Sequence, residues 1–492
     1  MTNKSDIIQG ISYISALQIF QKIFSGLTLI ILSWYLTAKD FGIVALSLFF
    51  YSFLVYFEDL GVNSAIIQRD KNIEAAIHAG MFIRISTGFV LTLIGFVLVP
   101  LIILLYNSIE IAQTFIVINL FFIIGSIGFI PRVMLTKELK FDKIAITGIL
   151  SNISYCVIAI IFVYFGFRYW SITLGYIASV LFSNIYFWKY SKWKYKLLYD
   201  KKIIMELINY GKFSIVYNIL FFLTFNIDKT IIGKLLGLNS LGFYTMAQQW
   251  VQIIPGFFMG IANTVLFPSY SIIKNDENKM KKGFIMVSKY LLLFIAPLVT
   301  GFALVADIFV PVIIGTKWIQ SIPIFQIMCF YALFLVLGNQ AGNVLFAIGK
   351  QKLLRLTIIA NIVPLILILI LIYLAILWNG IIGSAIIVTI GSFIYMSILI
   401  ISVYRELKIK ISETIKWVLY PIIISLIIGL TLFLIKIFII NTTDLFTLSI
   451  LIIIGIFIYS LILYIIFRSR IITIIKQILT YINPYKFFNM NN

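Results

Sequence analysis

The chain has 492 residues, 62% of them hydrophobic and only 11% charged, with a mean hydropathy of +1.09 and a formal charge of +20. Those proportions exclude a soluble domain with a polar surface and indicate an integral membrane protein. The positive charge is spread over short connections rather than gathered in a basic domain, so no nucleic-acid partner is expected.

Runs of about 20 apolar residues, the length a helix needs to cross a hydrocarbon core of about 30 Å, recur from end to end. In chain order they give about fourteen spans, centred near residues 24, 53, 92, 123, 155, 179, 224, 254, 294, 335, 366, 392, 427 and 457. Helices are the expected form because each backbone N–H and C=O must be satisfied inside its own segment, and no alternating barrel strands occur. The fold class is therefore an all-α polytopic membrane protein. Residues 1–195 form an N-terminal six-helix lobe, 196–410 a second six-helix lobe, and 411–492 two additional helices and a tail. The fifth and sixth spans are parted only by "YFGFRYW", and the eleventh and twelfth only by "LWNG".

Numbering the connections alternately puts 30 of the 38 basic residues on one side and five on the other: Lys39, Arg168, Lys234, Lys317 and Lys436. Cytoplasmic connections are enriched in Lys and Arg, so both termini are expected in the cytoplasm. The remaining three, Lys22, Arg84 and Lys229, lie inside spans. The polar "MTNKSD" start runs into a full-length span, so no cleavable signal peptide is expected. Cys156 and Cys329 lie inside spans and imply neither a disulfide nor a metal cluster. No cofactor or metal is expected.

An internal repeat appears at an offset of 200 residues. "WYLTAKDFGIVALS" (34–47) aligns with "KLLGLNSLGFYTMA" (234–247), matching Leu36 to Leu236 and Gly42 to Gly242. "GVNSAII" (61–67) aligns with "IANTVLF" (261–267), matching Asn63 to Asn263. Both repeats start from the same side, the parallel arrangement found in transporters that rock two lobes around a central cavity.

At these same residues the chain resembles a known family. "LGVNSAIIQRDKN" (60–72), "LTAKDFGIVALS", "PRVMLTKELKFDK" (131–143), "NIDKTIIGKLLGLNSLGFYTMAQQW" (226–250), "FPSYSIIKNDENKMKKGF" (267–284) and "VPVIIGTKWIQSIPIFQI" (310–327) look like the Wzx-type oligosaccharide flippases. These belong to the polysaccharide transporter branch of the multidrug/oligosaccharidyl-lipid/polysaccharide exporter superfamily. The likeness covers roughly residues 5–430 and is nearest to the subgroup of colanic-acid-type transporters. The resemblance implies a non-enzymatic transporter in the bacterial inner membrane. Its cargo would be an oligosaccharide on undecaprenyl diphosphate, for O-antigen, capsule or exopolysaccharide, moved outward by alternating access. It also implies membrane lipids and the polymerase and chain-length components of the pathway as partners. A likeness to the lipid II flippase implies that the last two spans flank a groove for the isoprenoid tail.

A polyanionic head crossing hydrocarbon needs fixed cations and hydrogen-bonding groups facing water. On the first span Ser15, Gln18, Lys22, Ser25, Gly26 and Ser33 fall within an arc of about 100°. On the seventh, Ser214, Asn218, Asn226, Asp228 and Lys229 fall within about 160°, and Gln18 and Asn218 are repeat equivalents. Gly80, Arg84, Thr87, Gly88 and Gly95 share a face of the third, and Thr245, Gln248, Gln252, Pro255 and Asn263 one of the eighth. The candidate cavity residues are thus Lys22, Arg84, Lys229, Gln18, Asn218, Asn226, Gln248 and Gln252, with Asp228, Asp59 and Glu58 as ion-coupling candidates. Asp228 and Lys229 are adjacent and about 100° apart, which rules out a stacked i,i+4 pair; Asp228 is expected to hold Lys229 until cargo arrives. Two other readings stand beside this one. Short external connections oppose a membrane-embedded oligosaccharide polymerase, and two extra helices with cationic polar faces oppose the multidrug exporters of the superfamily. No P-loop is present, so ATP is not the direct energy source.

Overall fold

Helices begin where the sequence supplies caps and stop where it supplies glycine. The computed structural model describes residues 4–58, 73–138, 140–191, 212–261, 266–438 and 444–467, with residues 62, 66 and 205. They form two compact units, Met1–Thr245 and Met246–Asn492.

The first unit contains α1 (Lys4–Tyr35), α2 (Ala38–Val55), α3 (Ile73–Tyr106), α4 (Ile109–Asn119), α5 (Phe121–Lys137), α6 (Phe141–Tyr164), α7 (Tyr169–Tyr190) and α8 (Lys212–Leu235). Helix α9 (Gly237–Val251) begins there and ends in the second unit. Thr37 starts α2 with a capping box: its hydroxyl accepts the Asp40 amide at 3.3 Å, and the Asp40 carboxylate accepts the Thr37 amide at 2.9 Å. The "YFGFRYW" stretch makes the tight turn between α6 and α7, where Gly166 (φ +82°) and Arg168 (φ +46°) take left-handed backbone. Arg168 then reaches Asp40 at 3.2 Å. Lys39 pairs with Glu110 at the start of α4 at 3.0 Å. Lys234, near the end of α8, donates to the Leu105 carbonyl near the end of α3, and the Tyr106 hydroxyl donates to the Thr230 carbonyl at 3.3 Å. Three of the five basic residues assigned to one side thus gather at one end of this unit.

The repeat has a direct structural counterpart. A Cβ on Gly42 would lie 2.1 Å from the Leu238 carbonyl oxygen, and one on Gly242 would lie 1.8 Å from the Ala38 carbonyl oxygen. The offset of 200 relates Ala38 to Leu238 as it relates Gly42 to Gly242. The contact is therefore reciprocal, each glycine admitting the backbone of the other repeat one turn from its partner.

The second unit contains α10 (Ile253–Ile261), α11 (Phe267–Ile273), α12 (Glu277–Phe309), α13 (Ile322–Ile348), α14 (Gln351–Glu406), α15 (Ile411–Phe438) and α16 (Leu445–Phe467). The eighth predicted span is broken between α9 and α10, just ahead of Pro255, whose missing N–H cannot continue the ladder. Asp276 caps α12 by accepting the Lys279 amide at 3.0 Å, and that bond holds its carboxyl below the usual carboxylate range. The cap is intact above the ordinary range and is lost as pH falls through the lowered value. Helix α14 is a hairpin: Asn379 and Gly380 break it with non-helical angles, in the predicted "LWNG" turn. Beyond the turn a Cβ on Gly383 would lie 2.0 Å from the Ala375 carbonyl oxygen.

Each predicted span centre falls inside a helix. Among the described residues, ten helices, counting consecutive short ones together and the α14 hairpin once, are long and apolar enough to cross a membrane. Large side chains such as Val97 and Leu104 on α3, Leu426 on α15 and Ile453 on α16 stand more than half exposed. In water such faces would aggregate; in lipid they are the solvent boundary. This is a multi-pass membrane protein.

Gly42→Ala and Gly242→Ala should each force the α2–α9 crossing apart, at a cost of about 1–3 kcal/mol. A lower thermal midpoint in detergent is the expected readout, and wild-type midpoints for both would show that the crossing can relax.

Candidate functional site

Helix α8 carries the densest polar segment of the first unit. Lys229 donates to the Asn226 side-chain oxygen at 2.8 Å, and the Asn226 amide donates to the Phe222 carbonyl one turn earlier at 3.0 Å. Asp228 is 1% exposed and accepts a hydrogen bond from the Tyr244 hydroxyl, while its other oxygen has no partner. Asp228 and Lys229 thus interact electrostatically without a side-chain hydrogen bond between them, each being hydrogen-bonded to another residue. The turn of about 100° between neighbours sends the carboxylate to α9 and the ammonium back along its own helix. Asn218, on the same helix, is exposed.

On α1, Lys22 is half-buried and, among the described residues, has neither a counter-ion nor a hydrogen-bond partner. Gln18, one turn earlier, keeps its buried side-chain oxygen unpartnered. Among the described residues, neither ammonium group is within salt-bridge distance of a carboxylate, and neither of the helices that carry them is among the ten long and apolar enough to cross a membrane.

Arg84 is different. Its guanidinium meets the Glu58 carboxylate at 2.6 Å, with both side chains only about a tenth exposed. It also lies over the Phe129 ring, 4.4 Å from the centroid. Two residues chosen for separate reasons, one a cation and one a coupling acid, are thus partners between α3 and the turn that follows α2. Asp59 lies outside the described residues. In the second unit Gln248 is 3% exposed with its amide nitrogen unpartnered, and Gln252 is half-buried.

Sequence reasoning missed a second polar centre. In α13, "GNQAGN" (338–343) puts three carboxamides in the C-terminal half of an apolar helix. Gln340 accepts from Ser288 at 3.1 Å and donates to the Tyr270 hydroxyl at 2.9 Å, while Asn339 accepts from the Tyr395 hydroxyl at 3.4 Å. The polar run itself is the signal that would have found it. Tyr244 carries no such signal, because one tyrosine among 27 cannot be singled out.

The fold matches solved structures over most of the chain. It matches lipid II flippase MurJ in an inward closed conformation with a TM-score of 0.72 at 17% identity, covering 93% of this chain and 99% of that one. It matches an inward-facing multidrug resistance MATE family transporter of the MOP superfamily with a TM-score of 0.59 at 15% identity, covering 83% and 95%. Residues 31–323 match the family described as "Polysaccharide biosynthesis protein", and the chain belongs to that family. Teichuronic acid biosynthesis protein TuaB of Bacillus subtilis is 29% identical over 60% of this chain and 62% of its own length. Lipopolysaccharide biosynthesis protein WzxC of Escherichia coli is 24% identical over 63% of each. The matches thus span about three fifths of the length of these curated relatives.

Tyr244→Phe should leave the buried Asp228 carboxylate without its donor and cost about 1–3 kcal/mol. The expected result is a lower thermal midpoint that Asp228→Asn partly restores in the double variant. An unchanged midpoint for Tyr244→Phe would show that the hydroxyl adds nothing.

Proposed function

We propose that this protein is a flippase that carries an oligosaccharide on undecaprenyl diphosphate from the inner to the outer leaflet of the bacterial cytoplasmic membrane by alternating access. The observation that carries the reading is the pair of helix-borne ammonium groups, Lys22 and Lys229, with no carboxylate at salt-bridge distance among the described residues; on this reading both lie within the membrane. Membership of a polysaccharide biosynthesis family and a transporter fold support it. About fourteen crossings belong to this reading, with both termini cytoplasmic and lobes at 1–195 and 196–410. The helices of 411–492 flank the lipid tail.

The head group is a diphosphate bearing sugars. Lys22 and Lys229, with Arg84, supply the positive field, and Gln18, Asn218, Asn226, Gln248 and Gln252 supply donors and acceptors for phosphate and hydroxyl groups. Asp228 is the first candidate for ion coupling, because one carboxylate oxygen is buried without a partner. Asp59 and Glu58 are the other acids of that set.

Deleting the gene should make a lipid-linked oligosaccharide accumulate in the cytoplasmic leaflet and abolish the surface glycan, with restoration by the wild-type copy. Lys229→Ala should lower the restored glycan roughly tenfold or more, the effect of losing one charge-assisted contact. Full restoration by the Lys22→Ala, Lys229→Ala double variant would overturn the cationic cavity.

A further inference from the structure

The Glu58–Arg84 pair has the form of an occupied anion site. Glu58 lies just past the last turn of α2, 8% exposed, and Arg84 on α3 is equally buried. The contact is made through one guanidinium nitrogen, Nη2, to one carboxylate oxygen, Oε1. Arginine and carboxylate normally meet with two parallel bonds. Here the adjacent Nε–H is buried and has no acceptor. The Phe129 ring centroid lies 4.4 Å from the guanidinium carbon, a cation–π contact that supplies no oxygen acceptor to the buried Nε–H. Thr87, one turn beyond Arg84, puts its hydroxyl 3.4 Å from the Glu58 carbonyl while bonding to the Ile83 carbonyl at 2.8 Å. The backbone at Glu58 is therefore held against α3.

We propose that Arg84 is a phosphate-binding residue and that Glu58 is the internal anion which an incoming phosphate displaces. The inference rests on the reading of the chain as a carrier of a phosphorylated lipid. A phosphate group brings more negative charge than the carboxylate and more acceptor oxygens. It can satisfy Nη2 and Nε together, where the carboxylate satisfies one. While the site is empty of cargo, Glu58 keeps a guanidinium in hydrocarbon from standing uncompensated. Phosphate on a lipid-linked diphosphate and phosphate on an ordinary phospholipid head share this chemistry. A purely structural pair, clamping α2, α3 and α5, would use the same contacts with no exchange.

The two roles differ in sign. Binding of undecaprenyl diphosphate, inorganic pyrophosphate and phosphatidylglycerol is measured on the purified full-length protein in nanodiscs of zwitterionic lipid. Removing a competing anion should strengthen binding, so Glu58→Gln should tighten the affinity for diphosphate roughly three- to tenfold. Arg84→Gln should weaken it about tenfold or more, and the double variant should resemble Arg84→Gln. Glu110→Gln, which removes an acid paired with Lys39 elsewhere, should change nothing. Tightening confined to undecaprenyl diphosphate and pyrophosphate assigns the site to the diphosphate head, and equal tightening for phosphatidylglycerol assigns it to any phospholipid head. Unchanged or weaker binding in Glu58→Gln overturns the proposal, as does equal tightening in Glu110→Gln. If Arg84→Gln fails to fold, the sign of the Glu58→Gln effect still decides. A deletion strain that accumulates no lipid-linked oligosaccharide would sink the flippase reading alone, because these affinities are read without transport.

Discussion

In hydrocarbon every polar atom must find its partner within the protein, and this constraint shapes each level of the structure. Backbone groups meet it by forming helices. Most hydroxyls meet it by bonding back to their own helix: Thr28 to the Phe24 carbonyl, Thr92 to Gly88, and Ser425 to Pro421. Such residues look polar in the sequence and are inert in the fold. What remains is a short set of buried side chains with an unpartnered atom among the described residues, and Gln18, Arg84, Asp228 and Gln248 belong to it. These four lie on the polar helix faces that periodicity alone selects. The same set also holds Asp40, Asn119, Trp250, Asp307 and Asn343, so an unpartnered atom by itself does not single out those faces.

The duplicated scaffold is symmetric where helices cross and asymmetric where charge is placed. The reciprocal Gly42 and Gly242 contacts preserve the repeat at backbone precision. At the same offset Lys22 corresponds to Phe222, Arg84 to Phe284, and Lys229 to Leu29. No intramembrane cation has a cationic twin. In the register of the repeat, Lys229 lies seven residues beyond the position of Lys22, about 10 Å along a helix.

Much of this architecture was legible because length, hydropathy and charge alternation act locally. The apolar runs give the helices, and "YFGFRYW" and "LWNG" mark true reversals because glycine takes left-handed backbone there. Lys39, Arg168 and Lys234, grouped on one side by counting alone, do gather at one end of the first unit. Partnership was not legible. Helical periodicity gives the face of a residue and not the neighbour across it, so Arg84 and Glu58, 26 positions apart, read as unrelated. Adjacent Asp228 and Lys229 suggested a pair, yet a helix turns them toward different neighbours. The carboxamide run of α13 was visible in composition, but its meaning depends on Ser288 and Tyr270, which distance in sequence conceals.

The partner of each cation decides how strongly it acts on cargo. Lys229 is hydrogen-bonded to a neutral carboxamide and feels the neighbouring Asp228 only through space, so its N–H groups are not tied to a carboxylate. Arg84 is cancelled by Glu58 and has little field until the carboxylate leaves. On the flippase reading these are different tasks. Lysines with no carboxylate bonded to them draw a polyanionic head toward the cavity from a distance, whereas a paired arginine responds only to an anion close enough to compete for its N–H groups. A carrier built from uncancelled cations alone would bind its cargo and hold it. Including one cation whose counter-ion is part of the protein gives the carboxylate a means to reclaim the site, which favours release.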